Sequence, residues 1–234
     1  GEEAVQKINE DFLELAEEES TLLVSLTMQE ELVHTGELKM DFIGDSVMLG
    51  AAALLEETFP NGYVDAKQNR SYYPLLSILS SRASEGILGN PVVIAIGTNC
   101  ILPKEVCEKA ISLCDDKEVF WITTTNNWQF ENRTVITKTA ETYDNVTLID
   151  WQTYSIDHPA YFYKDGIHLT EEGRKAYVGL IKEQITKRYF DLLWPSIREN
   201  RILVCGDENL LLYADKLSDK EGVYLFQGSF EEEF

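Results

Sequence analysis

The stretch Lys39-Met40-Asp41-Phe42-Ile43-Gly44-Asp45-Ser46-Val47-Met48-Leu49 decides the fold. A run of β-formers halts at Gly44-Asp45-Ser46, and a helix-forming run, Val47 to Glu57, begins at once. A serine at such a switch can present its hydroxyl at the carboxyl end of a sheet, beside the unpaired N–H groups of a helix start. It can equally do no more than cap that helix, since serine is a favoured N-cap.

Outward from this point the chain alternates. Strands are expected at about Lys39–Ile43, Tyr63–Asp65, Pro91–Ile96, Val119–Thr123 and Val146–Ile149. The run Pro91-Val-Val-Ile-Ala-Ile96 is apolar throughout, as in a strand buried on both faces. Helices are expected from Val47, from Pro74 to about Ser84, from Lys104 to Leu113, from Glu131 to Tyr143, and from an N-cap at Thr170 to about Tyr189. Five strands alternating with helices predict an α/β fold, a three-layer α/β/α arrangement around a five-stranded parallel sheet. In such sheets a ligand sits off the carboxyl ends of the strands.

The flanks read differently. Val5, Ile8, Phe12 and Leu15 form one apolar stripe in an otherwise acidic segment, so residues 1–37 are expected to be a helical lead-in. Residues 38–189 form the expected catalytic domain. Residues 190–234 read as an extension in which Trp194-Pro195 breaks the preceding helix. Its runs Arg201–Cys205, Leu210–Tyr213 and Val223–Phe226 are expected to add strands or an edge hairpin.

With 20 basic and 41 acidic residues, the net charge of −21 argues against a nucleic-acid partner, which demands clustered lysine and arginine. It equally disfavours an anionic membrane surface. No run of about 18 apolar residues is present to span a bilayer. The chain begins at Gly1, as expected of a domain excised from a longer protein, and no signal peptide is visible. Cys100, Cys107, Cys114 and Cys205 lack the close pairing of a zinc site and read first as buried thiols, with one disulfide as the alternative.

Two further motifs fall after strands. Asn99 in Gly97-Thr98-Asn99 can donate its side-chain amide to an oxyanion, or merely satisfy a turn. Asp165-Gly166-Ile167-His168 puts a carboxylate three residues before an imidazole, a spacing that lets the acid orient the ring while its other nitrogen faces a serine. Of His34, His158 and His168, only His168 has a carboxylate at this spacing. A metal site at Asp165 and His168 would want a third ligand that the sequence does not offer.

Taken together, Gly44-Asp45-Ser46, Gly97-Thr98-Asn99 and Asp165-x-x-His168 resemble the SGNH (GDSL-like) hydrolase superfamily. Phe42–Leu49, Phe59–Ala66, Ile96–Asn99, Ile149–Trp151 and Tyr163–Thr170 are similar to the extracytoplasmic domain of bacterial cell-wall O-acetyltransferases. The resemblance spans roughly residues 38–185 and implies a role for each matching residue. Ser46 would be the nucleophile, His168 the base and then the acid, and Asp165 the orienting carboxylate. The oxyanion hole would use the Ser46 N–H, the Asn99 side chain and a backbone N–H at Asn69, where relatives commonly carry glycine before arginine. Arg70 and Trp128 are candidate substrate contacts, although Asn126-Asn127 stand where relatives tend to have Pro-Arg. No cofactor or metal is implied. The implied acceptor is a cell-wall glycan, with the acyl donor delivered by an upstream membrane domain on the outer face of a bacterial membrane. A carbohydrate or acetyl esterase would use the same triad, and a non-catalytic glycan-binding domain is the remaining alternative.

Overall fold

The computed structural model describes residues 29, 33–125, 129–200, 202–206 and 223–227. The expected lead-in helix over residues 2–19, the apolar run Leu210–Tyr213 and Trp128 lie outside them.

Five strands build one sheet: β1 (Asp41–Gly44), β2 (Tyr63–Ala66), β3 (Val92–Ala95), β4 (Val119–Ile122) and β5 (Val146–Ile149). Their order is β2-β1-β3-β4-β5 and every pairing is parallel. Among the described residues, the helices that accompany them are α1 (Ser46–Thr58), α2 (Tyr73–Ser84), α3 (Lys104–Cys114), α4 (Gln129–Thr142), α5 (Trp151–Ser155) and α6 (Glu171–Asn200).

The period-2 alternation of strand side chains sorts the core into two layers. Phe42, Val93, Ala95, Phe120, Ile122 and Ile149 face Val47, Met48, Ala51 and Leu55 of α1 and Tyr177, Val178, Ile181 and Ile185 of α6. Ile43, Val92, Ile94, Val119, Trp121 and Val146 face the other way, onto Leu75 and Leu79 of α2, Cys107, Ala110, Ile111 and Cys114 of α3, and Ile136 of α4. Both faces being covered explains why β1, β3 and β4 are buried at every position. Each large apolar side chain so withdrawn from water stabilises the fold by about 1.5–3 kcal/mol. The edge strand β2 is exposed or half-buried along its length.

Asp41, at the buried start of β1, is held by Arg82 near the end of α2, whose Nη2 donates to Oδ1 at 2.9 Å. The guanidinium also lies over the Tyr63 ring, 3.8 Å from its centroid. This fastens the amino-terminal ends of β1 and β2, opposite the site described below.

Two expectations are corrected. The last long helix does not break at Trp194-Pro195: α6 continues to Asn200. Proline forfeits one N–H bond and crowds the carbonyl four residues back, but the turns on either side can carry the helix past it. Of the terminal runs, Arg201–Cys205 and Val223–Phe226 add strands as expected: β6 (Ile202–Gly206) and β7 (Val223–Gln227) pair parallel, in register Ile202↔Val223 through Gly206↔Gln227, as a separate two-stranded sheet. A tight turn joins only antiparallel neighbours, so a longer connection is required here. The segment after β5, read from sequence as a long loop, contains α5 and a 3-10 turn at Pro159–Tyr161.

Candidate active site

In the order β2-β1-β3-β4-β5, connections leave β1 and β3 in opposite directions, opening a crevice beyond their carboxyl ends. Asp45-Ser46 follows β1 and Gly97–Asn99 follows β3, so both motifs meet at that crevice.

Serine does not cap α1. Asp45 is the N-cap, its Oδ1 accepting the Val47 N–H at 3.0 Å, and Ser46 is the first helical residue. The Ser46 hydroxyl is thereby left for other work. Its Oγ lies 3.0 Å from Nε2 of His168, 122 residues away in the chain.

The loop carrying His168 is self-bracing. The Tyr163 N–H donates to the His168 carbonyl at 2.8 Å, and Phe162 bridges Leu169 in antiparallel fashion. Gly166 takes φ +69°, a left-handed turn that suits glycine. Asp165 Oδ1 accepts the N–H groups of Ile167 and His168, both at 3.0 Å, while Oδ2 stands 2.7 Å from Nδ1 of His168. A carboxylate can only accept, so Nδ1 carries the proton and Nε2 is free to accept from the Ser46 hydroxyl. The imidazole bond, followed by the N–H of Ile167, draws the Asp165 carboxyl from 3.8 down to about 2. Asp165 and His168 are nonetheless 47% and 48% exposed.

Thr170 closes this segment. Its hydroxyl accepts the Gly173 N–H at 3.2 Å, capping α6 as expected from sequence, and donates to the Ala160 carbonyl at 2.7 Å.

The expected oxyanion donors are distributed as follows. Among the described residues, the backbone N–H groups of Ser46 and Asn69 make no hydrogen bond. Asn69 sits at φ 56°, the left-handed conformation that glycine would otherwise supply. Asn99 Nδ2 donates to the Arg70 carbonyl at 3.1 Å, which uses one of its two N–H bonds. Arg70 is not placed as a substrate contact. It is 5% exposed, with Nη2 2.5 Å from Asp65 Oδ1 and Nη1 on the Asp65 carbonyl. Burial with a paired carboxylate is what an arginine facing inward requires.

Two residues were not singled out from sequence. Asp45 is 1% exposed and accepts the Thr98 N–H on Oδ2 at 3.1 Å as well as the Val47 N–H. Burial pushes its carboxyl up, against the opposing bonds from Thr98 and Val47. Asp and Ser both favour helix caps, so their adjacency hid which one does the capping. Asn132 of α4, fully buried, donates to the carbonyls of Gly97 and Cys100 at 2.8 and 2.9 Å and accepts the Leu102 N–H at 2.8 Å. Nothing in its surroundings, Phe130-Glu131-Asn132-Arg133, signals that role.

Among the described residues, no group of three or more His, Cys, Asp or Glu side chains could hold a metal, and no helix is long and apolar enough to cross a membrane.

A serine at the β1–α1 junction, an imidazole over it and an acid three residues before the imidazole accompany a fold that is that of the SGNH (GDSL-like) hydrolases. The C-terminal catalytic domain of Streptococcus pneumoniae peptidoglycan O-acetyltransferase A superposes with a TM-score of 0.57 at 20% identity, over 63% of this chain and 92% of that one. A putative acylhydrolase from Bacteroides fragilis gives 0.53 at 17% identity, over 71% and 99%. In sequence the chain is similar to the putative peptidoglycan O-acetyltransferase YrhL of Bacillus subtilis, 30% identical over 141 residues, and to O-acetyltransferase OatA of Staphylococcus aureus, 32% over 142 residues. These matches cover 59% of this chain but only 22% and 24% of those proteins. No family model matches the chain.

Proposed function

We propose that this chain is the acyl-transferring unit of a serine-dependent O-acetyltransferase that acetylates a hydroxyl of cell-wall glycan. The observation that carries the reading is the Ser46–His168–Asp165 alignment, at 3.0 and 2.7 Å, beside unbonded N–H groups at Ser46 and Asn69. The names of its sequence relatives support the choice of acceptor and of acyl group.

His168 Nε2 takes the Ser46 proton as Oγ bonds the acyl carbon. The carbonyl oxygen becomes an oxyanion received by the N–H groups of Ser46 and Asn69 and by the remaining N–H of Asn99. The donor's leaving oxygen departs with the proton from Nε2. A sugar hydroxyl then gives its proton to Nε2 and attacks the acyl-Ser46 carbonyl. Collapse of that second oxyanion expels Ser46 Oγ, which recovers the proton. Asp165 holds the imidazole in one tautomer and stabilises its cationic form throughout. The acyl donor would reach Ser46 from a membrane domain of the longer protein, on the outer face of the membrane.

A second reading, a plain acetyl esterase, draws on the exposure of His168 and Asp165, which leaves water free to compete for the acyl-serine. Incubating the chain with an activated acetyl ester and peptidoglycan oligosaccharides distinguishes the two. Acetylated sugar, abolished by Ser46→Ala, is the expected product. Acetate release undiminished by any oligosaccharide would favour the esterase, and turnover retained by Ser46→Ala would overturn both.

A further inference from the structure

Each of the three oxyanion donors just assigned is a sequence neighbour of a buried, hydrogen-bonded residue. Ser46 follows Asp45, Asn99 follows Thr98, and Asn69 precedes Arg70. The donors are half-buried or exposed, whereas Asp45, Thr98 and Arg70 are 1%, 9% and 5% exposed.

These buried neighbours are linked. Asp45 Oδ2 accepts the Thr98 N–H at 3.1 Å, and the Thr98 hydroxyl adds a second bond to the same carboxylate. The chain passes from Thr98 to Asn99, whose Nδ2 donates to the Arg70 carbonyl at 3.1 Å. The Arg70 guanidinium holds both the carbonyl and the carboxylate of Asp65 on β2. Asp65 is in register with Ile43 of β1, and the Lys67 N–H returns to the Gly44 carbonyl at 3.1 Å. Gly44 precedes Asp45, so the circuit closes on itself.

We propose that Asp45, Thr98, Arg70 and Asp65 form one closed polar frame whose task is to fix the spacing of the three oxyanion donors, making them positioning residues of the reaction. The inference rests on the transfer chemistry proposed above. A buried polar network in which every member is satisfied is rigid, and a donor misplaced by a fraction of an ångström loses most where charge develops. Arg70 acts at one further point. By anchoring the residue after Asn69, it holds Asn69 at φ 56° and so aims its N–H. Lysine cannot reproduce the two bonds of the guanidinium to Asp65.

The test uses Asp45→Asn, Arg70→Lys, Thr98→Val and Thr98→Ser in the chain as it stands. Each is assayed for kcat and KM on a small acetyl ester and for inhibition by a boronic acid that forms a tetrahedral anionic adduct on Ser46. Loss of a whole oxyanion donor costs roughly 10²–10³ in kcat, so a displaced donor is expected to cost about tenfold or more at little-changed KM. The boronate inhibition constant should rise by the same factor as kcat/KM falls, and Thr98→Ser should recover most of what Thr98→Val loses. Normal kcat and normal boronate affinity in folded Arg70→Lys and Thr98→Val would overturn the frame, even if their melting temperatures drop. Should Asp45→Asn fail to fold, the Thr98 pair decides, since it differs from the native chain by one methyl or one hydroxyl. If Ser46→Ala is inactive while these variants behave normally, the frame alone falls; if Ser46→Ala is active, the transfer reading falls with it.

Discussion

Ser46 Oγ and His168 Nε2 are held 3.0 Å apart although 122 residues separate them, whereas His168 and its acid partner belong to one four-residue turn. The imidazole–carboxylate pair is thus set locally by backbone bonds to Asp165. The serine–imidazole distance depends on how the 156–170 segment is seated on α6 and α5. The two halves of the triad should fail independently.

Asp165→Asn tests the local half. An amide in place of Oδ2 can present an N–H to Nδ1 and favour the wrong tautomer, so kcat should fall by about 10²-fold or more. Because Asp165 is depressed from 3.8 to about 2, its contribution to stability is present above the ordinary carboxylate range and is lost as pH falls through about 2. Half-exposure screens that contribution, so it is small. Unfolding curves of the native chain and Asp165→Asn should differ at neutral pH and converge near pH ~2. The acid limb of the activity profile should not originate at Asp165.

Gly173→Ala tests the seating. A Cβ at Gly173 would stand 2.0 Å from the Tyr161 carbonyl oxygen, so the loop must lift from α6. Overpacking of this kind costs about 1–3 kcal/mol. Thermal unfolding should show that loss. Activity should fall further than stability explains, because Thr170 and His168 travel with Tyr161.

Asn69 is a conformational test. Asn69→Gly should keep stability within about 0.5 kcal/mol and retain activity, since glycine adopts φ 56° freely. Asn69→Val should lose about 1–2 kcal/mol and most of its turnover, as a β-branched residue resists the left-handed region.

Burial pushes the thiols of Cys107 and Cys114 up to about 12; it raises Cys100 as well, but Cys100, beside Asn99, is only half-buried. An aqueous thiol reagent at mildly alkaline pH should therefore label Cys100 before Cys107 and Cys114, with the three equalised by denaturant. Peptide mapping by mass reads the order. Occupancy at Cys100 should inhibit turnover through crowding of the neighbouring amide.

Asn132→Leu should cost about 2 kcal/mol or more, because it strands two carbonyls and one N–H of the Gly97–Leu102 loop without partners. Denaturant titration measures it directly.

Patterns with one dominant period were readable from the chain. The fully apolar run of β3 announced a strand covered on both faces, and Asp165-x-x-His168 announced its own hydrogen bond by spacing. What escaped was the work done between distant segments. Asn132 serves residues about 30 positions away, and Asp45 serves Thr98 at a separation of 53. No local propensity encodes such a pairing. Arg70 entered as a candidate substrate contact through the family resemblance, which carries no information on which way its side chain turns. Only its carboxylate partner, five residues earlier across a loop, turns it inward. The passage of α6 through Pro195 was missed because a proline signal was given the weight of a helix end.

His168 and Asp165 expose nearly half their side-chain surface, so the imidazole and its acid lie on a ledge, and the transfer proposed above would take place at its edge. A ledge imposes no requirement for a free chain terminus. A long strand could lie across it and present any interior unit, then shift and present the next without being threaded or released.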